Sequence, residues 1–302
     1  MSLKDSMLAL LVAFLWGAQV TAVKVGGAEL PPILMVAMRY AIMALFLLPF
    51  LRRCRRDQIV PMTVIATMTG TLHFGLLYCG IARVDASTSA IIYQLATPFT
   101  LILAFLVLGE ALKPNVVAGI TLAFCGVLVL LESDAPEATL TGMLLVALAA
   151  LAFAVGSVLT KRMGPLDPLA LSAWTAIVAA PQLLVWSFAQ EEGQLSTLAN
   201  ASAVAWWAMI YTALSGGLLG FGLWFWLLRR NSMQQLAPYL LLVPVFAIAV
   251  SQALLAEGLS QRLLLGAVLS LLGVALCQLP LPRRKVFVAT GDKGQEAVDE
   301  RP

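Results

Sequence analysis

The chain has 302 residues, 61% of them hydrophobic and only 12% charged, and its formal net charge is +3. A soluble domain is about 45–50% apolar and 25% charged, so this composition belongs to a polytopic membrane protein. So small a positive charge asks for no nucleic-acid partner.

Ten long apolar runs follow one another, near residues 6–26, 31–51, 59–82, 86–108, 114–131, 140–160, 168–189, 203–228, 235–256 and 263–281. Each is close to the roughly 17–25 residues that a spanning helix needs. None alternates polar and apolar residues with period two, so helices are the remaining way to satisfy the backbone in hydrocarbon. The first run places Trp16 and Gln19 halfway along and Lys24 at its end. Lys4 before a short apolar stretch resembles a signal peptide, but Trp16-Gly17 to Lys24 has a counterpart in Phe153 to Lys161, so the segment is expected to be retained. In the second run Arg39 lies eight residues in, about 12 Å from the end, too deep to stay unpaired cheaply. Glu29 is a candidate partner and a structural tether the first reading of that arginine.

The third run carries His73 at mid-depth, Tyr78, and glycines 70, 75 and 80. His73 is the only histidine; it reads as a neutral partner between helices or as a proton relay. The fourth run sets Tyr93, Gln94 and Thr97 just ahead of Pro98 and closes on Gly109-Glu110. Gly119 and Gly126 mark the fifth run, and Phe153, Ser157 and Lys161 the sixth. Trp186, Trp206 and Trp207, near helix ends, suit an interface belt. Between the seventh and eighth runs a short loop is expected near 190–202. The eighth run holds Ser215 among Gly216, Gly217, Gly220 and Gly222, the ninth Tyr239 and Pro244 before Ala256-Glu257, and the tenth Gly266 and Gly273. A polar tail follows Lys285 and is expected to be disordered.

With the N-terminus inside, fifteen of the nineteen lysines and arginines fall on the inner side, only Arg83 and Arg262 on the outer, and Lys24 and Arg39 within helices. That bias is the one translocation imposes, so N-in, C-in and ten spans are expected. Cys54, Cys79, Cys125 and Cys277 show no metal spacing, and no cofactor motif is present.

The punctuation of the first half recurs in the second. Pro98, Gly109-Glu110, Gly119 and Gly126 are matched by Pro244, Ala256-Glu257, Gly266 and Gly273, at offsets of 146 or 147. Gly70 and Gly75 match Gly217 and Gly222 at 147, and Lys24 matches Lys161 at 137. Residues 1–136 and 137–285 are therefore two five-helix repeats, with 286–302 as the tail. Five is odd, so the second repeat is expected upside down relative to the first, the arrangement from which carriers build two gates around one site.

Trp16-Gly17 with Lys24, Arg39, and the twice-occurring proline, glutamate and glycine pattern resemble the EamA-type members of the drug/metabolite transporter superfamily. Within it the chain looks most like the YddG-type exporters of aromatic and other amino acids. The resemblance covers all ten runs and implies an all-α bundle of two inverted repeats around a central cavity. It also implies export from the cell across a bacterial inner membrane. The one departure, Ala256 for Gly109, exchanges one small residue for another.

The buried polar and aromatic residues suit such a cavity. Trp16, Gln19, His73, Tyr78, Tyr93, Gln94, Thr97, Phe153, Ser157, Ser215 and Tyr239 would give aromatic walls and a few neutral hydrogen-bonding groups for a small amphipathic solute. Pro98 and Pro244, at similar depth, are candidate hinges; Lys24, Arg39 and Lys161 are candidate gate or structural charges. Glu110 and Glu257 read as helix-end caps or ion-pair partners. The chain has no Walker A sequence, and an intramembrane hydrolase would have only Ser157 or Ser215 with His73, lacking an orienting carboxylate. Nucleotide sugars or drugs are the alternative solutes, though phosphates call for several cavity cations. The expected partners are thus a small-molecule solute and the bilayer, with the chain a monomer or weak homodimer. Only Gly216 and Gly220, in GxxxG spacing, hint at dimerisation.

Overall fold

The computed structural model describes residues 1–131, 137–164, 166–228, 230–231, 233–279, 286–289 and 295–298. The repeat boundary expected at Pro136 lies outside these residues, as do Arg229, Arg283, Arg284, Lys285, Lys293 and Arg301. Every apolar run has a helical counterpart. The first and second are α1 (Leu3–Gly26) and α2 (Pro32–Leu47), the latter continued by a 3-10 stretch, Leu48–Arg53. The third divides into α3 (Ile59–Ala66), a π-helical stretch (Thr67–Leu72) and α4 (His73–Ile81). The fourth divides into α5 (Ala86–Ile92), a 3-10 turn (Tyr93–Leu95) and α6 (Ala96–Leu108). Then come α7 (Pro114–Leu131), α8 (Glu137–Met163) and α9 (Pro168–Gln190). The eighth run repeats the third: α11 (Ala203–Tyr211), a π-helical stretch (Thr212–Leu219) and α12 (Gly220–Leu228). The ninth repeats the fourth, α13 (Met233–Leu240) and α14 (Leu242–Leu255) meeting at a break on Leu241, and α15 (Gln261–Gln278) is the tenth.

Among the described residues eight helical stretches are long and apolar enough to cross a membrane, while Pro114–Leu130 and Leu242–Leu255 are shorter apolar helices. Two details depart from expectation. The loop near 190–202 contains a short helix, α10 (Gln194–Asn200). In the tail, β1 (Val286–Ala289) pairs antiparallel with β2 (Gln295–Val298), where no order was expected.

Helix ends are set by local chemistry. Ser2, Asp167, Ser202 and Ser260 each accept a hydrogen bond from a backbone N–H in the first turn that follows, the usual N-cap. Glu191 reaches across from the end of α9 to the start of α2, its Oε1 and Oε2 accepting from the N–H groups of Ile33 and Leu34 at 2.8 and 3.0 Å. Helix α6 ends on Gly109 in the left-handed conformation (φ 70°), and α14 ends the same way on Ala256 (φ 51°). The exchange of Gly109 for Ala256 is therefore not neutral, because an L-residue is strained there.

Packing relies on small residues, as it must where lipid is as apolar as the helix faces. Ala173, Ala176, Ala179 and Ala180 of α9 are buried against a core that includes Met35, Val36, Tyr40 and Met43 of α2. The duplicated glycines meet one another between α7 and α15: a Cβ built at Gly119 would lie 2.5 Å from the Gly273 carbonyl oxygen, and one at Gly126 2.7 Å from that of Gly266. Trp186 is no simple belt residue, since its ring covers Gly75.

Candidate transport site

The π-helical stretches build the site. Where the helix widens, the backbone N–H of His73 reaches back five residues to the Met68 carbonyl, which leaves the Thr69 carbonyl without its ordinary donor. His73 supplies one from its own ring, with Nδ1 3.0 Å from Thr69 O. A carbonyl only accepts, so Nδ1 carries the proton, and Nε2 meets the Tyr93 hydroxyl at 2.9 Å. Both ring nitrogens are thereby engaged. Phe153 of α8 completes the group, 5.3 Å from His73 and 6.3 Å from Tyr93 between ring centroids.

The second repeat solves the same problem differently. Gly220 N–H reaches back to Ser215 O, leaving the Gly216 carbonyl free. Positions 216 and 220 correspond to 69 and 73 at the offset of 147. Glycine at 220 has no side chain to offer, and the donor comes from α1: Trp16 Nε1 lies 3.0 Å from Gly216 O. A Cβ at 220 would lie 2.6 Å from that nitrogen. The indole stacks obliquely on Phe221 and Trp224, at 5.2 and 5.6 Å, and Tyr239 packs on the same cluster. So Phe153, His73 and Tyr93 in one set answer to Trp16, Gly220 and Tyr239 in the other.

The remaining candidates are dispersed around these two sets. The Gln19 carbonyl oxygen presses on Gly216, buried and with no hydrogen-bond partner among the described residues. Its counterpart contact is Thr69 against Gly156 of α8. Gln94 and Thr97 are half-buried beside the turn before Pro98. Ser157 donates to the Phe153 carbonyl of its own helix, and Ser215 contributes the carbonyl already named. Pro98 and Pro244 are both buried, and the irregular turn lies on the N-terminal side of each.

Tyr78 is fully buried and belongs with Arg39, whose Nη1 donates to its hydroxyl at 3.1 Å. The guanidinium lies over Phe74, 4.2 Å from the ring centroid, a favourable cation–π geometry. Phe74 in turn contacts His73 at 4.2 Å. Glu29 is not the partner expected for Arg39: its carboxylate accepts from Ser202 N and Oγ, both at 2.7 Å. A loop residue next to another helix's first turn finds orphan N–H groups nearer than a buried cation.

The charges at the helix ends differ from one end of the bundle to the other. Lys24 Nζ donates to Val84 O at 2.7 Å and more weakly to Ala82 O at 3.4 Å, carbonyls of the turn between α4 and α5. Glu257 takes the other side of that junction, accepting from Ala86 N (2.8 Å), Ser87 N (3.1 Å) and Ser87 Oγ (2.7 Å). Lys161 instead pairs directly with Glu110 at 2.5 Å. Lys24, Asp85 and Glu257 line a cavity of about 490 Å³ at their end of the bundle. Three polar residues escaped the sequence reading: Thr67 and Thr71 share the Gln182 amide, with Thr71 Oγ1 2.5 Å from Gln182 Oε1. A threonine pair spaced by four in the third run was the available signal.

Comparison with known proteins agrees with this architecture. The model of the EamA-like transporter family matches twice, over residues 4–132 and 140–278. The chain belongs to the EamA-like transporter family. A protein of Salmonella typhimurium named a probable amino-acid metabolite efflux pump is 32% identical over 286 residues, covering 91% of this chain and 94% of that one. An Escherichia coli protein of the same name is 30% identical, covering 94% and 98%. A solved structure at 18% identity superposes with a TM-score of 0.63 over 91% of this chain and 96% of its own, a likeness of fold alone. This EamA-like protein is a multi-pass membrane transporter rather than an enzyme.

Proposed function

We propose that the protein is a secondary carrier that exports amino acids, aromatic ones included, across a bacterial inner membrane by alternating access. Its ten helices span the membrane with both termini inside, the second repeat inverted relative to the first. The observation that carries the reading is the pair of equivalent aromatic sets, Phe153–His73–Tyr93 and Trp16–Gly220–Tyr239. Each is built on a π-helical stretch and presents ring faces beside neutral hydrogen-bonding groups. Such walls suit a solute with an apolar or aromatic side chain. The lysine and arginine bias supports the orientation, and the two relatives named as amino-acid metabolite efflux pumps support the solute class.

Phosphorylated solutes fit less well. The cations nearest the bundle interior are engaged: Arg39 with Tyr78 and Phe74, Lys24 with two backbone carbonyls. A phosphate would require several free ones. Purified protein in liposomes is expected to give saturable flux of labelled aromatic amino acids and none of nucleotide sugars. Absence of saturable amino-acid flux refutes the solute claim. A one-to-one proteoliposome comparison with and without a pH gradient separates proton coupling from facilitated transport. In cells, a thiol reagent that cannot cross the membrane should label a cysteine at Gly258 and spare one at Ala111; the reverse refutes the orientation.

A further inference from the structure

We propose that Glu257 is the latch that closes the Lys24 end of the pathway, and that Glu110 is the equivalent latch at the other end, engaged in the opposite state. The inference rests on the alternating-access reading. Glu257 is contributed by the second repeat and grips the first: its carboxylate satisfies two backbone N–H groups and a hydroxyl at the start of α5. Ser87 Oγ also meets Ser251 Oγ of α14 at 2.7 Å. Lys24 holds the carbonyls on the other side of the same junction. With the junction gripped, all seven residues of α5, Ala86 to Ile92, are buried, and none of them lines the cavity beside Lys24.

The Lys161 end has the same parts in another arrangement. Glu110 is paired with Lys161, their side chains 44% and 63% exposed. The counterpart of α5 at the repeat offset is α13. Where its side chains are described, Leu236 is buried, Tyr239 and Leu240 are half-buried and Gln235 is exposed. Among the described residues, Glu257 therefore grips the start of α5, while Glu110 is held by Lys161 instead of by α13. In the opposite state the roles exchange: Glu110 caps α13, and Glu257 leaves α5 for Lys24. Capping by a carboxylate needs only backbone N–H groups, so the exchange requires no side-chain identity between Ser87 and its counterpart.

The test uses spin labels in a cysteine-free, nanodisc-embedded full chain at two symmetry-related pairs, Arg83→Cys with Gly258→Cys and Arg230→Cys with Ala111→Cys. Glu257→Gln keeps one acceptor of two and removes the charge. It should lengthen the 83–258 distance, shorten the 111–230 distance, and change the ratio of the two states about tenfold. Glu110→Gln should act with the opposite sign, so that the double variant returns towards wild type. Ser87→Ala, which removes one bond, should shift the ratio in the Glu257→Gln direction by less, and decides the matter if Glu257→Gln does not fold. The proposal is overturned if only the 83–258 distance moves, if neither moves, or if the double variant departs further than the single one. The distances are read without solute, so their failure leaves the carrier reading standing, and a failure of flux in liposomes leaves the latch standing.

Discussion

Trp16→Phe isolates the carbonyl freed by the second π-helical stretch. The substitution keeps an aromatic ring and removes the N–H that lies 3.0 Å from Gly216 O. Gly220 N–H is committed to Ser215 and Gly217, and Gly216 is buried. A stranded buried acceptor costs about 1–3 kcal/mol. Gly220→His alone should also destabilise, by about 1–3 kcal/mol of overpacking, since its Cβ would lie 2.6 Å from Trp16 Nε1. Backbone strain adds nothing, because position 220 is right-handed helical at φ −59°. Together the two changes transplant the first repeat's solution: a histidine donates to the carbonyl four residues back, as His73 does to Thr69, beside a phenylalanine, as Phe153 stands. The double variant should therefore be more stable than the sum of the singles by about 1 kcal/mol or more, a coupling typical of residues in contact. Thermal unfolding of the detergent-solubilised protein, run as a double-mutant cycle, reads this directly. Additive effects, or a Trp16→Phe variant as stable as wild type, would refute the account of the freed carbonyl.

Three further outcomes are expected. Ala256→Gly relieves the left-handed C-cap of α14 (φ 51°) and should raise stability by about 1 kcal/mol, while Gly109→Ala (φ 70°) should lower it; unfolding temperatures check both. Hydrogen bonds from the Ser202 backbone N–H and then its hydroxyl hold the Glu29 carboxyl below the ordinary carboxylate range. Its contribution to stability is thus complete above the ordinary value and fades as pH falls through the lowered one, so Glu29→Gln should flatten the acid side of a stability–pH curve. An unchanged acid limb would show that the contact is already lost in solution. Pro98→Ala restores a backbone donor next to the irregular turn of the fourth run; if that turn flexes during transport, turnover in proteoliposomes should fall more than solute affinity, and equal losses would contradict it.

How much of this was legible beforehand depends on whether a feature lives in side-chain pattern or in backbone hydrogen bonding. The ten runs and the duplication, with its repeated glycine spacing, are pattern, and hydrophobic length and spacing carry them; that the glycines of α7 and α15 face one another is seen only in the structure. The paired lysines and glutamates are also pattern, and their two readings, cap and ion pair, are each realised at one end. The π-helical stretches are not pattern: a reach of five residues instead of four is a property of the backbone, and Gly70 and Gly217 mark the places without naming the geometry. The partner of Arg39 is not pattern either. Its depth can be counted along the helix, but the face it turns cannot, and in space Tyr78 and Phe74, not the sequence neighbour Glu29, lie beside it. The same limit explains the most consequential difference in the chain. Histidine at 73 and glycine at 220 look like divergence between repeats, yet each is dictated by where the donor for one freed carbonyl comes from: from the residue's own ring in the first repeat, and from Trp16 in the second.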